Sequence, residues 1–423
     1  MSHIVIMGAG IGGLPCAYEM REKLGKEHTI TLINNRDHFQ FTPSNPWVAV
    51  GTRDKKNMTL PLSPVLKKKN IGFISKAVVS IDAVNNELTV DGGDTVAYDF
   101  LVIATGPRLA FEEVEGSGPA GYTASICTTE HALEAYEDYK KLLQNPGPII
   151  IGAMPFASCF GPAYEFVFIL DQALRKAGVR HKYPITYVSS EPYIGHLGLG
   201  GVGDSKGMLE SELRQHDIKF ITNAKTTKVE EGKLFADELD ENGAIKKQHE
   251  LNFNFAMMLP AFKGIDAVAN VEGLCNPRGF VLIDQHQRSP KYHNIYSTGV
   301  CVAIPPVEAT PVPTGAPKTG YMIETMSTAI VENIARELKG EDPKACGTWS
   351  AICLADMGDT GAAFVAIPQN PPRNVTWFKK GKWVHQSKVA FEKYFMRKMR
   401  KGSTDPIFER YVLKMLGLNK LEK

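Results

Sequence analysis

Cys127, Cys159 and Cys353 are the residues whose settings best suit them to chemistry. Each is flanked by Gly, Pro, polar or acidic residues: Cys127 by Ser125 and Thr128 to His131, Cys159 by Ser158 and Gly161-Pro162, Cys353 by Asp356 and Gly358. Cys127 and Cys159 precede segments that read as helix starts, where free N–H groups and the dipole favour a thiolate, the reactive form of sulfur. Cys16, Cys275, Cys301 and Cys346 read instead as small packed hydrophobes. Seven cysteines without a C-x-x-C pair or zinc-like spacing predict no metal site. His131 and His196 are the acid–base candidates near neutral pH. His131 follows Cys127 by four residues, one helical turn, so the two are expected to share a face. His196 lies in the glycine-rich stretch Tyr193–Gly198, and Glu165 is a third candidate on the helix expected after Cys159.

These side chains need a scaffold, and the N-terminus announces one. His3 to Met7 reads as a buried strand, Gly8-Ala9-Gly10-Ile11-Gly12-Gly13 follows at once, and Leu14 to Leu24 continues with helical periodicity. That strand–turn–helix context is what a dinucleotide site requires: Gly8 makes the turn, Gly10 admits a pyrophosphate and Gly13 lets helix and strand approach. A second strand, Thr29 to Ile33, ends at Asn34, where the motif usually has an acidic ribose ligand. Ala104-Thr105-Gly106 closes another apolar strand, and Ser297-Thr298-Gly299 a late one, as in flavoproteins with two dinucleotide-binding domains. Together they predict FAD. Val300 stands where many such proteins have Asp. The second glycine loop is damaged: after Ile149 to Gly152 come Ala153-Met154-Pro155, where Met154 would crowd a pyrophosphate and Pro155 removes an N–H. The fold is expected to persist there without an NAD(P)H site.

At 423 residues the chain has room for two or three domains, and its alternating strands and helices predict doubly wound α/β units. No run of 18 apolar residues predicts a transmembrane helix, and a first strand at His3 leaves no space for a secretory signal. Charge is segregated: residues 377–423 hold 13 Lys and Arg against 4 Asp and Glu, a net of +9 in a chain of net +2. Phe391, Phe395 and Met399 recur among Lys388, Lys393, Arg397, Lys398 and Arg400, and Ile407, Phe408, Tyr411, Val412, Met415 and Leu416 repeat the pattern. Two basic amphipathic helices joined at residues 402–406 fit the headgroup layer of an anionic bilayer. Their apolar faces offer no base-reading groups, so no nucleic-acid partner is expected.

The GAGIGG loop, Phe41–Trp47, the three cysteines, Tyr193–Gly198 and Pro311–Gly320 together closely resemble the bacterial sulfide:quinone oxidoreductases, from end to end. The resemblance implies an α/β chain with two Rossmann-like FAD/NAD(P)-type domains and a C-terminal amphipathic membrane-attachment segment. The divisions expected are residues 1–120 with 290–340 for FAD, 121–289 for the degenerate second domain, and 341–423 for quinone and membrane. It makes Cys159 and Cys353 a redox pair that hydrosulfide attacks, Cys353 being the thiolate that passes two electrons to the flavin, and gives Cys127 the removal of sulfur as polysulfide or elemental sulfur. His131 and His196 would manage protons. Gly8, Gly10, Gly13, Asn34, Ser44, Ala104, Thr105, Gly106, Gly299 and Lys318 would hold FAD, Lys318 by facing the electron-rich pyrimidine edge. Phe391 and Phe408 would sandwich the quinone; relatives often have Tyr at the latter position, so its hydroxyl is missing here. A monotopic protein on the bacterial inner membrane is implied, with a homo-oligomer left open. A type II NADH:quinone oxidoreductase would need an intact second loop and no cysteine pair. A flavocytochrome c-type sulfide dehydrogenase flavoprotein would pass electrons to a haem partner and lack the basic tail.

Overall fold

The computed structural model describes residues 1–404 and 419–422. Five parallel strands form the first sheet in the order Ile295–Ser297, Phe100–Ile103, His3–Met7, Thr29–Ile33, Gly72–Ile74. The inner strands are near-continuous apolar runs because both faces are covered. On one face the helix Gly13–Leu24 buries Leu14, Ala17, Tyr18 and Met20 and stops at Gly25, whose φ of 61° suits glycine. The second sheet, also parallel, runs Ile218–Ile221, Ile185–Ser189, Ile149–Ala153, Phe255–Leu259. Helix Gly161–Lys176 covers it with Phe166, Val167 and Leu170.

The chain crosses between these units twice, and the crossings pair antiparallel, Arg108–Leu109 with Phe262–Lys263. Ala267, Val268, Val271, Leu274 and Val281 then join the core that holds Val5 and Leu101. The crossings therefore fall near residues 110 and 262, earlier than the divisions at 120 and 290 expected from sequence, because apolar residues of 267–281 pack against the first sheet.

The C-terminal region opens with an antiparallel sheet, Ala351–Asp356, Gly361–Ile367 and Val375–Lys380, which carries Cys353. Helix Lys382–Lys401 follows and ends at Gly402 in the left-handed conformation. Its inner face buries Val384, Phe395, Met396 and Met399, and also Lys388, Glu392 and Lys398. Lys388 and Lys398 are thus not part of a solvated basic face: Lys388 pairs with Glu165, and Lys398 with Glu324 at 2.6 Å. Trp383, Phe391, Lys393, Arg397, Arg400 and Lys401 remain outside. The second tail helix expected from sequence, with Phe408 and Tyr411, lies outside the described residues. Residues 419–422 return to the body, where Leu421 bridges Gly347. No helix among the described residues is long and apolar enough to cross a membrane.

Candidate active site: a cysteine cluster beside a nucleotide cradle

The glycine loop has the shape its spacing demands. A Cβ on Gly8, whose φ is 106°, would strike the Ala104 carbonyl oxygen at 2.4 Å, and one on Gly13 would strike the Gly8 oxygen at 1.9 Å. One on Gly10 would meet nothing within 4 Å, so the loop backbone faces open space there. Gly106 and Gly299, with φ of 69° and 88°, end their strands beside it. Thr298 hydrogen-bonds the Ile323 carbonyl at 3.3 Å and so brings up helix Gly320–Glu337. A pyrophosphate and ribityl chain fit this cradle of glycines and helix N-termini. Two expected contacts are redirected. Asn34 accepts from the Ala9 N–H at 2.9 Å and donates to the Arg36 carbonyl at 2.8 Å, bracing the loop. Ser44 is fully buried and donates to Glu392 at 2.6 Å, on the C-terminal helix.

Three separate elements bring in the cysteines. Cys127 lies just before Thr128, whose hydroxyl accepts from the His131 N–H at 3.1 Å and caps helix Thr129–Gln144. Cys159 precedes helix Gly161–Lys176, and Cys353 sits within its strand. Cys159 feels the charge of Cys127, and Cys353 that of Cys159, so the three form one cluster of free thiols. The low thiol pKa values expected at the helix starts are not found. The Gly161 N–H does reach the Cys159 sulfur, but burial outweighs it, lifting Cys159 and Cys127 to about 11 and Cys353 further still.

Cys127 and His131 do not share a helical face, because the helix begins only at Thr129. Ser125 links them: its hydroxyl lies 3.3 Å from His131 Nδ1, accepts from the Cys127 N–H at 3.2 Å, and eases the thiol's ionisation. Burial lowers the His131 pKa, keeping the ring neutral and able to take a proton. His196 is buried and held at both nitrogens. Gly198 N–H donates to Nδ1 at 3.1 Å, which puts the proton on Nε2, where it is given to Glu308 at 2.9 Å. The ring joins the Gly195–Gly203 loop to the loop around Glu308, so its visible work is positional.

Behind Cys353 lies a polar knot that no local sequence signal announces. Glu165 accepts from Lys388 and from the Asp356 N–H, the latter at 2.8 Å. Asp356 accepts from Trp47 Nε1 at 2.6 Å and lies 2.7 Å from His385 Nδ1. Glu165 comes from the Cys159 helix, Asp356 from the Cys353 strand, and Lys388 and His385 from the C-terminal helix. Burial raises the Glu165 pKa while Lys388 opposes that rise. Beyond the knot, Phe39, Phe41, Phe391 and Phe395 form an aromatic group with centroids 5.1–6.1 Å apart. Phe395 is buried within it, and Phe391, 43% exposed, is its outer edge.

Around the second glycine loop, polar groups that could meet a nucleotide are held by protein partners. Glu191 stands just past the strand Ile185–Ser189, where a ribose ligand would be expected. It is fully buried and accepts from Tyr164 at 2.8 Å, Ser189 at 2.7 Å and the Leu197 N–H at 2.7 Å. The Met154 N–H is spent on the Leu259 carbonyl at 2.9 Å.

Comparison with known proteins agrees with this geometry. The family model for pyridine nucleotide-disulphide oxidoreductase matches residues 2–330. The sulfide-quinone reductase of Aquifex aeolicus (strain VF5) is 43% identical over 415 residues, 98% of this chain and 94% of the relative. The X-ray structure of the sulfide:quinone oxidoreductase from Aquifex aeolicus covers 100% of this chain and 97% of its own, with a TM-score of 0.96 at 43% identity. The mitochondrial sulfide:quinone oxidoreductase of Mus musculus is 22% identical over 379 residues, 86% of this chain and 80% of the relative. With its cysteine cluster and nucleotide cradle, the chain belongs to the sulfide:quinone oxidoreductases, within the pyridine nucleotide-disulphide oxidoreductase family.

Proposed function

We propose that this enzyme oxidises hydrosulfide at Cys159 and Cys353 and delivers the electrons, through FAD in the Gly8–Gly13 cradle, to a quinone at the C-terminal helix. The observation that carries this reading is the gathering of three thiols from three elements between the cradle and that helix. In the oxidised enzyme the two sulfurs are joined; hydrosulfide forms a new S–S bond with one, the old bond breaks, and the other cysteine leaves as thiolate. Each sulfur so oxidised from the −2 to the 0 level releases two electrons. FAD held by the cradle residues would supply the two-electron acceptor that links these thiols to the quinone. The proton brought by hydrosulfide stays on the terminal sulfur until the chain lengthens, and neutral His131, joined to Cys127 through Ser125, is the base beside the sulfur-removing thiol. His196 holds the loops. Gly8, Gly10, Gly13, Ala104, Thr105, Gly106, Gly299 and Lys318 are our assignment for FAD, and Phe391 with Phe408 for the quinone.

Exposed Trp383, Phe391, Lys393, Arg397, Arg400 and Lys401 support attachment to an anionic membrane surface, which we assign to the bacterial inner membrane. The test is anaerobic stopped-flow absorbance with sulfide, then a short-chain quinone, for wild type, Cys159→Ala and Cys353→Ala, with NADH as control. Bleaching by sulfide, recovery with quinone and loss in both variants are expected; bleaching by NADH, or variants that reduce normally, overturns the assignment.

A further inference from the structure

The stretch from Pro313 to Gly320 spans the distance from the thiols to the nucleotide cradle. At one end, just ahead of Cys159, Phe156 N–H donates to the Pro313 carbonyl at 2.7 Å and Gly315 N–H to the Ala157 carbonyl at 2.9 Å. At the other end begins helix Gly320–Glu337, whose Ser327 hydroxyl donates to the Gly12 carbonyl at 3.3 Å. A Cβ on Gly12 would lie 3.0 Å from Ile323 Cγ2, so this helix and the glycine loop are in contact. A flavin with its pyrophosphate in the cradle and its ring within reach of the thiols must run along this span.

Two polar atoms at the span are buried without a hydrogen-bond partner among the described residues: the Thr319 hydroxyl and Oε1 of Gln369. Gln369 is fully buried and comes from the C-terminal region, between the strands Gly361–Ile367 and Val375–Lys380. It is fixed at three atoms. Its N–H donates to the Trp349 carbonyl at 2.8 Å, its carbonyl accepts from Arg373 Nε at 2.8 Å, and its Nε2 donates to the Pro317 carbonyl at 2.7 Å. Turning the amide over would set oxygen against oxygen at Pro317, so the unpaired atom is the oxygen, an acceptor. A buried acceptor is costly to leave without a donor. The pyrimidine edge of a flavin presents two carbonyl oxygens with one N–H, at N3, between them. Lys318 and Thr319 carry donors for the oxygens; the N–H needs an acceptor, which a lysine cannot be. We propose that Gln369 Oε1 accepts from flavin N3–H, so that a residue of the C-terminal region positions the ring. The inference rests on the reading of FAD in the Gly8–Gly13 cradle with its ring beside the thiols.

The test observes the ring nitrogens directly. Holoenzyme carrying FAD labelled with nitrogen-15 in its ring is compared by NMR with the Gln369→Leu holoenzyme. In the variant N3 should resonate further upfield and its proton should exchange faster, while N1 and N5 keep their wild-type positions. Gln369→Glu retains an oxygen at the same place and should return N3 toward its wild-type position. An N3 signal unchanged in Gln369→Leu overturns the proposal. So does movement of all three nitrogens together, which marks a ring displaced by a loosened loop. Gln369→Met is the second variant should Leu fail to retain the flavin. Failure of the underlying reading shows differently, as a purified wild-type protein without a flavin spectrum.

Discussion

Glu191 shows at the scale of one residue how a buried carboxyl is held by protein groups alone. Burial lifts its carboxyl to about 7, against the pull of the Leu197 N–H, Ser189 and Tyr164. An unfolded glutamate titrates near 4.3. Between those values the fold keeps a proton that the unfolded chain releases, so the contribution of this carboxyl is complete at acid pH and fades as pH rises through 7. The full size is roughly 4 kcal/mol, at about 1.4 kcal/mol per unit, and roughly 2.6 kcal/mol of it falls between pH 5 and pH 8.5. Glu191→Gln cannot titrate. Urea unfolding of both proteins at pH 5 and 8.5 should show the variant gaining on wild type by about that amount at the higher pH. A pH-independent difference would mean that Glu191 is already ionised in the fold. The cysteines carry a related lesson: burial raises all three thiols, so a thiolate here arises from breaking an S–S bond more readily than from titrating a free thiol.

Among the elements, the C-terminal helix divides its labour between its faces, which can be separated by mutation. Replacing Lys393, Arg397, Arg400 and Lys401 with Gln removes about 1 kcal/mol of attraction to anionic lipid for each charge near the surface. Co-sedimentation with anionic vesicles should fall at least tenfold while sulfide bleaching in solution is unchanged; unimpaired sedimentation would remove this face from the membrane. Phe391→Ala should raise the quinone KM several-fold and leave the sulfide step alone, and an unaltered KM would place the quinone elsewhere. Sequence reads this helix correctly as a periodic, positively charged element, but it cannot distribute the charges. The burial of Lys388 and Lys398 depends on Glu165 and Glu324, which are remote in sequence and adjacent only once the chain has folded. The Gly8–Gly13 loop was legible because its chemistry is local: strand, turn and helix follow one another within 24 residues. The Ser125 bridge was missed because helical spacing was applied one turn too early. The sheet Ala351–Lys380 was missed because short strands leave a weak pattern.

For the molecule as a whole, the C-terminal region is an integral part of the site and not a detachable anchor. Its helix lies over the first unit, where Tyr18 donates to the Met399 carbonyl at 3.0 Å and Phe395 packs on Phe39 and Phe41. Through Lys388 and His385 it completes the knot behind Cys353, and through Lys398 it reaches Glu324 on the helix that begins at the cradle. Ending the chain at Gly381 would leave Glu165 and Glu324 without these cations and would uncover the aromatic group. Removing one partner of a buried ion pair costs about 3–5 kcal/mol, and two such pairs are involved. A modular tail would leave a stable enzyme that still bleaches with sulfide and has lost only quinone and lipid. The packing predicts instead that the truncated chain melts many degrees lower and loses the sulfide step as well, because the Cys353 strand no longer has its support. Calorimetry and stopped-flow bleaching on the one truncated protein decide between the two, and normal sulfide bleaching at an unchanged Tm would show that the knot is dispensable.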